Sequence, residues 1–425
     1  MTPPPAAQTR TPLPRTVWVL SFVSFFADVS SEMVYPLLPL FLVGALGSTK
    51  TELGLIEGSA VLIVSLMSAV AGFRSDRTGT RVPWIRWGYG LPVLGKSIIA
   101  MATMWPLVLG GRLLDRFGKG LRGAPRDALI ADAVSAESRG RAFGLHRAFD
   151  TAGALLGVLL AAFLLWWLTG TPSESIAADA VGAAARTPIR VYRAIFGVGA
   201  ALGLASLVLT FFVRESEPAT KAVATAPAVT TLAPSGARGL GLPRGYWSVL
   251  AVLVLFSLAN SSDTFLLLRA SDLGYSPWAV VMVYALYNVT YSGLSYPAGV
   301  VSDRLGRWGV IAVGWVIYAA VYMGFALLPA SHAWGMWPLM GAYGVYMALT
   351  DGVGKALIAD HAPRERRGVA MGVFYAVTGV TTLGASLVAG AVWDRSGPTT
   401  ALLIGAGFAM LALLVLPFAI RRRAA

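Results

Sequence analysis

The chain has 425 residues, of which 56% are hydrophobic and only 13% charged, and its mean hydropathy is +0.67. A soluble globular domain carries about 25% charged residues, so a soluble enzyme is excluded and the long apolar runs read as membrane spans. The absence of cysteine removes disulfides, thiol chemistry and thiolate metal sites, and the formal charge of +13 is read as basic loops on one side of a bilayer, not as a nucleic-acid surface.

In chain order, the Pro-rich residues 1–15 form an expected disordered N-terminal tail. Apolar segments follow near 16–46, 53–73, 84–105, 107–133, 142–168, 191–213, 246–270, 277–301, 308–329, 335–360, 369–393 and 400–420. Each reaches the roughly 20 residues that a bilayer requires. The first is too long and too acidic for a cleaved signal and is read as a retained helix. An Ala/Pro/Thr-rich stretch at 214–244 reads as a linker between six-helix halves at 16–213 and 245–420, and 421–425 as a basic tail. Lys and Arg crowd the loops on the side of the tails and linker, while the other side has little beyond Lys50, Arg186, Arg190 and Arg395. Both termini and the linker are therefore expected in the cytoplasm.

Charged residues inside the spans mark candidate functional positions, because a charge at mid-bilayer costs roughly 2.5–3.5 kcal/mol even on the mild scale. In the first span Asp28, Ser31, Glu32 and Tyr35 share one helical face. Glu57 in the second and Lys96 in the third stand alone and are expected to be interhelical partners or snorkelling groups, not substrate contacts. The fourth span holds Arg112, Asp115, Arg116, Lys119, Arg122, Arg126 and Asp127. At 100° per residue, Arg112, Asp115, Lys119, Arg122 and Arg126 fall within about 80° of one another. Such a stripe must face water or opposite charge. The fifth span places His146, Arg147 and Asp150 within one turn. The second half is poorer in charge, with Asn260 and Asp263 in the seventh span and Asp351 and Lys355 in the tenth. "SSE" at 30–32 is echoed by "SSD" at 261–263, so Asp263 mirrors Glu32. Tyr284, Tyr287, Tyr291, Tyr318, Tyr322, Tyr343 and Tyr346 suggest an aromatic lining to this half, although tyrosines near helix ends commonly form interfacial belts.

The halves repeat each other. "GFRSDRTGTR" at 72–81 matches "GVVSDRLGR" at 299–307, which sets Asp76 opposite Asp303. "ALIADAVSAESRGRAFG" at 128–144 matches "ALIADHAPRERRGVAMG" at 356–372, which sets Asp132 opposite Asp360 and Arg139 opposite Arg367 at nearly the same offset. An even number of spans per half makes these parallel repeats.

With Gly72, Asp76, Arg77, Gly79 and Arg81 in the loop after the second span, and Asp303, Arg304 and Arg307 in a degenerate copy after the eighth, the chain resembles the major facilitator superfamily over about 16–420. The resemblance implies an all-α membrane fold of twelve transmembrane helices in two pseudo-twofold-related six-helix bundles. It also implies a central cavity lined by helices one, four and five of the first half, into which Asp28 and Glu32 would point towards Lys119 and Arg122, with Asp150 near. The loop motif, with Arg139 and Arg367, would act as a conformational gate. The superfamily's proton antiporters usually carry a proline in the fifth helix where this chain has Val158.

The expected function is secondary transport of a small organic solute, anionic or zwitterionic, by proton-coupled efflux from a bacterial inner membrane. Proton-coupled uptake of an organic anion, metal or siderophore export, and a transport-dead membrane sensor are the alternatives. The expected substrate and proton pathway is Asp28, Glu32, Tyr35, Arg112, Asp115, Lys119, Arg122, Arg126, His146, Arg147, Asp150, Asn260 and Asp263. No cofactor, resident metal or nucleic-acid partner is expected, and the protein is expected to be monomeric. GxSxG, HExxH and Walker patterns are all missing from the sequence, which argues against an enzyme.

Overall fold

The computed structural model describes residues 12–135, 138–170, 187–215, 241–363 and 366–421. Most of the expected N-terminal tail and linker, and residues 422–425 of the basic tail, lie outside them. Among the described residues every regular element is helical, because only helices and closed barrels satisfy all backbone polar groups in hydrocarbon.

The first half contains α1 (Arg15–Val34), α2 (Lys50–Thr78), α3 (Val82–Met101), α4 (Trp105–Asp132), α5 (Arg139–Thr169) and α6 (Ile189–Thr210). The second half contains α7 (Arg244–Ser257), α8 (Thr264–Asp272), α9 (Pro277–Leu305), α10 (Arg307–Leu327), α11 (Met336–Asp360) and α12 (Arg367–Arg421). Local sequence explains the ends. Thr49 accepts from the Glu52 amide at 3.1 Å while the Glu52 carboxylate accepts from the Thr49 amide at 2.8 Å, a capping box that starts α2. Gly79 ends it in the left-handed conformation, φ 66°. Pro36 and Pro39 end α1 and turn the rest of the first span into a short 3-10 turn and a π-helical stretch, Leu40–Ala45.

One span departs from the sequence expectation. The seventh is not continuous: it breaks between α7 and α8 at Asn260–Asp263. Asn, Ser and Asp offer backbone groups alternative partners and so favour breaks. The freed Ala259 carbonyl accepts from the Tyr318 hydroxyl at 2.6 Å, and the Ser262 amide donates to Ser386 at 3.2 Å. The eleventh and twelfth spans are the two arms of α12, joined where Gly397 takes φ 82° and ψ 174°. By length and composition alone, six described helical stretches could cross a membrane, the longest, Gly368–Pro417, having room for two crossings. The charge-laden α4 is not among them.

The halves meet along α2 against the first arm of α12, and α5 against α9. Glycines set the first contact. A Cβ on Gly54 would collide with the Ser386 carbonyl, and one on Gly58 would lie 2.8 Å from the Leu383 Cα. These contacts lie towards the face that carries Lys50 and Asp394; the opposite, basic face carries the motif at 72–81, of which 72–78 form the last turns of α2 and not the loop expected from sequence, only 79–81 joining α2 to α3.

Candidate functional site

The charged stripe of α4 divides into three parts. Its Arg112 end is a closed lattice. Arg112 grips Glu57 of α2 through two hydrogen bonds of 2.8 Å. Asp115 lies 3.3 Å from Lys96 of α3 and 3.6 Å from Arg112, and Lys96 also donates to Ser31 of α1 at 3.1 Å. All four charged side chains are buried, and such groups persist in a bilayer only when paired. In the middle, Arg116 and Lys119 reach open space. Towards the basic face, Arg122 lies 3.9 Å from Asp28 and 4.3 Å above the Tyr89 ring, while Arg126 donates to Ser24 at 2.9 Å and pairs with Asp127.

That open space is a cavity of about 310 Å³ between the halves, lined by Glu32, Tyr35, Arg116, Lys119, Asp263 and Tyr284, with Ala60, Val61 and Val64 as its apolar wall. Close packing of α5 places Glu32: a Cβ on Gly157 would lie 3.1 Å from the Glu32 Cβ. The Glu32 carboxylate accepts from the Tyr284 hydroxyl of the other half at 2.8 Å. Asp263, held at the break between α7 and α8, accepts from Tyr343 at 2.7 Å and Tyr287 at 3.5 Å. Tyr284 stacks on Tyr287 at 5.6 Å and meets Tyr35 at 5.4 Å. Val61 and Val64 also line a larger cavity of about 640 Å³ towards the basic face, which Asn260, Trp315, Tyr346, Asp351 and Lys355 help to wall.

Of the residues proposed from sequence, Glu32, Tyr35, Lys119 and Asp263 converge on the smaller cavity, and Asn260 lines the larger one. Asp28 and Arg122 sit together beside it. Arg112 and Asp115 belong to the buried lattice, and Arg126 to the contact with α1. His146 is buried 3.8 Å from Asp150, and neither of its ring nitrogens has a hydrogen-bond partner among the described residues. Arg147 lines a separate basic-face cavity with Tyr291 and Asp351. Glu57 and Lys96 take the interhelical roles described above.

Sequence reasoning missed Arg116, which falls outside the drawn stripe yet lines the cavity because the opening is wider than one helical face. It also missed that tyrosines hold both carboxylates. The spacing of Tyr284, Tyr287 and Tyr291 signals one helical face, but their partners lie on other spans. Tyr318, Tyr322 and Tyr343 are buried in the core, while Tyr284, Tyr291 and Tyr346 line cavities.

At the basic face the repeat becomes a pair of matched contacts. Arg81 pairs with Asp132 in the first half and Arg307 with Asp360 in the second. Asp303 lies 3.7 Å from Arg307. Glu215 accepts from the backbone amides of Arg81 and Val82 at 2.6 and 2.7 Å. Gly72 lets α4 approach, since its Cβ would lie 3.3 Å from Ala124. Arg77, Arg139 and Arg304 are exposed, and the side chains of Asp76 and Arg367 lie outside the description.

A family profile described as Major Facilitator Superfamily matches residues 20–380 and 270–425. An uncharacterised MFS-type transporter of Methanocaldococcus jannaschii is 30% identical over 96% of this chain and 95% of its own length. The multidrug resistance protein MdtH of Cronobacter sakazakii is 26% identical over 85% of this chain and 82% of its own. Among solved structures, the nucleoside transporter NupG superimposes with TM-score 0.72 at 14% identity, covering 96% of this chain and 99% of that one.

Proposed function

Since the chain belongs to the major facilitator superfamily and is a multi-pass membrane transporter, we propose that it exports a small anionic or zwitterionic organic solute in exchange for protons. The observation that carries this reading is the seat of Glu32. Its carboxylate lines a cavity beside Lys119, is mirrored by Asp263 across the pseudo-twofold, and takes a hydrogen bond from the other half at 2.8 Å. A proton on Glu32 changes both its attraction to Lys119 and its bond to Tyr284, so it acts at once on the solute site and on the contact between halves. That is what coupling requires: a ligand must interact differently with two arrangements of the molecule.

Export is supported by the MdtH relative, whose name states multidrug resistance. Uptake is the second reading, favoured by Val158 in the place of the antiporter proline. The basic face is assigned to the cytoplasm of a bacterial inner membrane, so the larger cavity opens inward while the Lys50–Asp394 face is closed. The transporter is taken to work as a monomer, with the solute and protons as its ligands.

Solute counterflow measured beside pH-gradient-driven flux in proteoliposomes tests the proposal. Glu32→Gln is expected to keep counterflow at saturating solute and lose accumulation. Full gradient-driven accumulation in that variant rules out the proton role. Loss of counterflow even at saturating solute assigns the effect of Glu32 to the fold.

A further inference from the structure

The same cavity carries a finer statement about the solute, one that rests on its being the solute site. Its charges are segregated by helix. The two cations, Arg116 and Lys119, both come from α4. The two acids, Glu32 and Asp263, come from α1 and from the break between α7 and α8, and each is bound by tyrosine hydroxyls of the second half. Arg116 has Asp115 within 3.4 Å. Lys119 has no carboxylate within ion-pairing distance among the described residues and is exposed to the cavity. The α4 side of the lining therefore presents an unneutralised ammonium beside a guanidinium, and the side formed by α1 and the α7–α8 break presents two carboxylates with the rings of Tyr35 and Tyr284.

Carboxylates that line one cavity are compensated by a cation bound among them. A carboxylate carries about four acceptor sites, so Glu32 and Asp263 keep acceptor capacity after their tyrosine bonds. Tyrosine faces attract ammonium groups by about 0.5–2 kcal/mol. The α4 cations suit a carboxylate or sulfonate through charge-assisted hydrogen bonds. Two acids against two bases also leave the lining without excess charge, so a neutral zwitterion enters without leaving a buried charge uncompensated, whereas a plain anion or cation would.

We propose that the solute is a zwitterion bound in one orientation, its ammonium between Glu32 and Asp263 beside Tyr284 and its anionic group on Lys119 and Arg116. The volume of about 310 Å³ confines the solute to a small molecule, with Ala60, Val61 and Val64 facing its apolar body.

The test is equilibrium binding to the purified full-length protein by isothermal titration calorimetry. Three probes share one body: phenylalanine (zwitterion), phenethylamine (cation) and 3-phenylpropionate (anion). Wild-type protein is expected to bind phenylalanine at least about tenfold more tightly than either other probe, as one desolvated charge contact is worth about 1.4 kcal/mol or more. Lys119→Ala is expected to erase the preference for phenylalanine over phenethylamine, weakening phenylalanine and tightening phenethylamine, because the lining then carries one excess negative charge. Asp263→Asn is expected to erase the preference over 3-phenylpropionate. Equal or tighter binding of either singly charged probe by wild type overturns the proposal. So does equal weakening of all three probes by Lys119→Ala, and so does failure of all three to bind at millimolar concentration. Binding needs no gradient, so these outcomes are separate from the Glu32 flux result: a zwitterion preference with intact accumulation in Glu32→Gln refutes only the proton role.

Discussion

At the scale of single residues, the contrast between the two ends of the α4 stripe is instructive. Glu57 and Arg112 are almost fully buried and bonded twice. Removing one partner of such a pair leaves a buried charge uncompensated, at a cost of about 3–5 kcal/mol. Glu57→Gln is thus expected to lower the thermal midpoint in detergent sharply, while Glu57→Gln combined with Arg112→Met recovers part of the loss. If the double variant is as unstable as the single one, the lattice is not an isolated pair. Lys119→Ala should behave in the opposite way, because Lys119 faces open space and pairs with nothing described: unfolding stays near wild type and solute affinity falls. Arg81→Ala is expected to change unfolding by about 0–1 kcal/mol, since its partner Asp132 is half exposed and the pair is screened by solvent.

At the scale of elements, the N-terminus of α2 is held by the other half of the molecule. Asp394, at the end of the first arm of α12, accepts from the Lys50 amide at 3.0 Å, the Thr51 amide at 2.9 Å and the Thr51 hydroxyl at 2.7 Å. A carboxylate there satisfies orphan amides and meets the positive end of the helix dipole. Burial opposes ionisation of this carboxyl, but the bonds from Thr51 and Lys50 outweigh it and hold Asp394 below the usual carboxylate range. The sign follows from that depression. The stabilisation is complete above the unfolded value, roughly pH 3.9, and is lost as pH falls through the lower folded value. Asp394→Asn is expected to abolish that acid-side loss and to cost about 0.5–1 kcal/mol at neutral pH, allowing for solvent screening. Thermal midpoints of both proteins between pH 3 and 7 check it, and parallel curves would show that Asp394 contributes nothing through its charge.

At the scale of the whole molecule, the proposed transport cycle opens the Lys50–Asp394 face while the basic face closes. A chain without cysteine permits a direct test. Thr51→Cys with Asp394→Cys places two thiols where side chains already touch, and oxidation is expected to arrest counterflow, with reductant restoring it. Undiminished counterflow in the cross-linked protein would mean that α2 and α12 do not separate there. Asp76→Asn is expected to leave abundance unchanged and to cripple turnover, because the loop motif recurs in both halves. Wild-type flux at wild-type abundance would make the motif dispensable. A tag after Arg423 should be labelled only in permeabilised cells.

The sequence alone determined the twelve apolar segments, the two halves and the family, because hydrocarbon forces every span to be long and apolar and duplication leaves its motifs at a constant offset. It also determined that the charges of α4 need partners, since the cost of burying a charge does not depend on where the partner comes from. Which partner each charge takes was decided only by tertiary structure. Glu57 and Lys96 reach Arg112 and Asp115 because glycines draw the helices together; Gly95, for instance, has no room for a Cβ against Gly111 and Asp115. The bond from Tyr284 to Glu32 joins residues on opposite halves, so no local spacing encodes it. The break at Asn260–Asp263 has a local signal, four polar residues in a row inside an apolar run, but the partners that satisfy the backbone it frees, Tyr318 and Ser386, lie far along the chain.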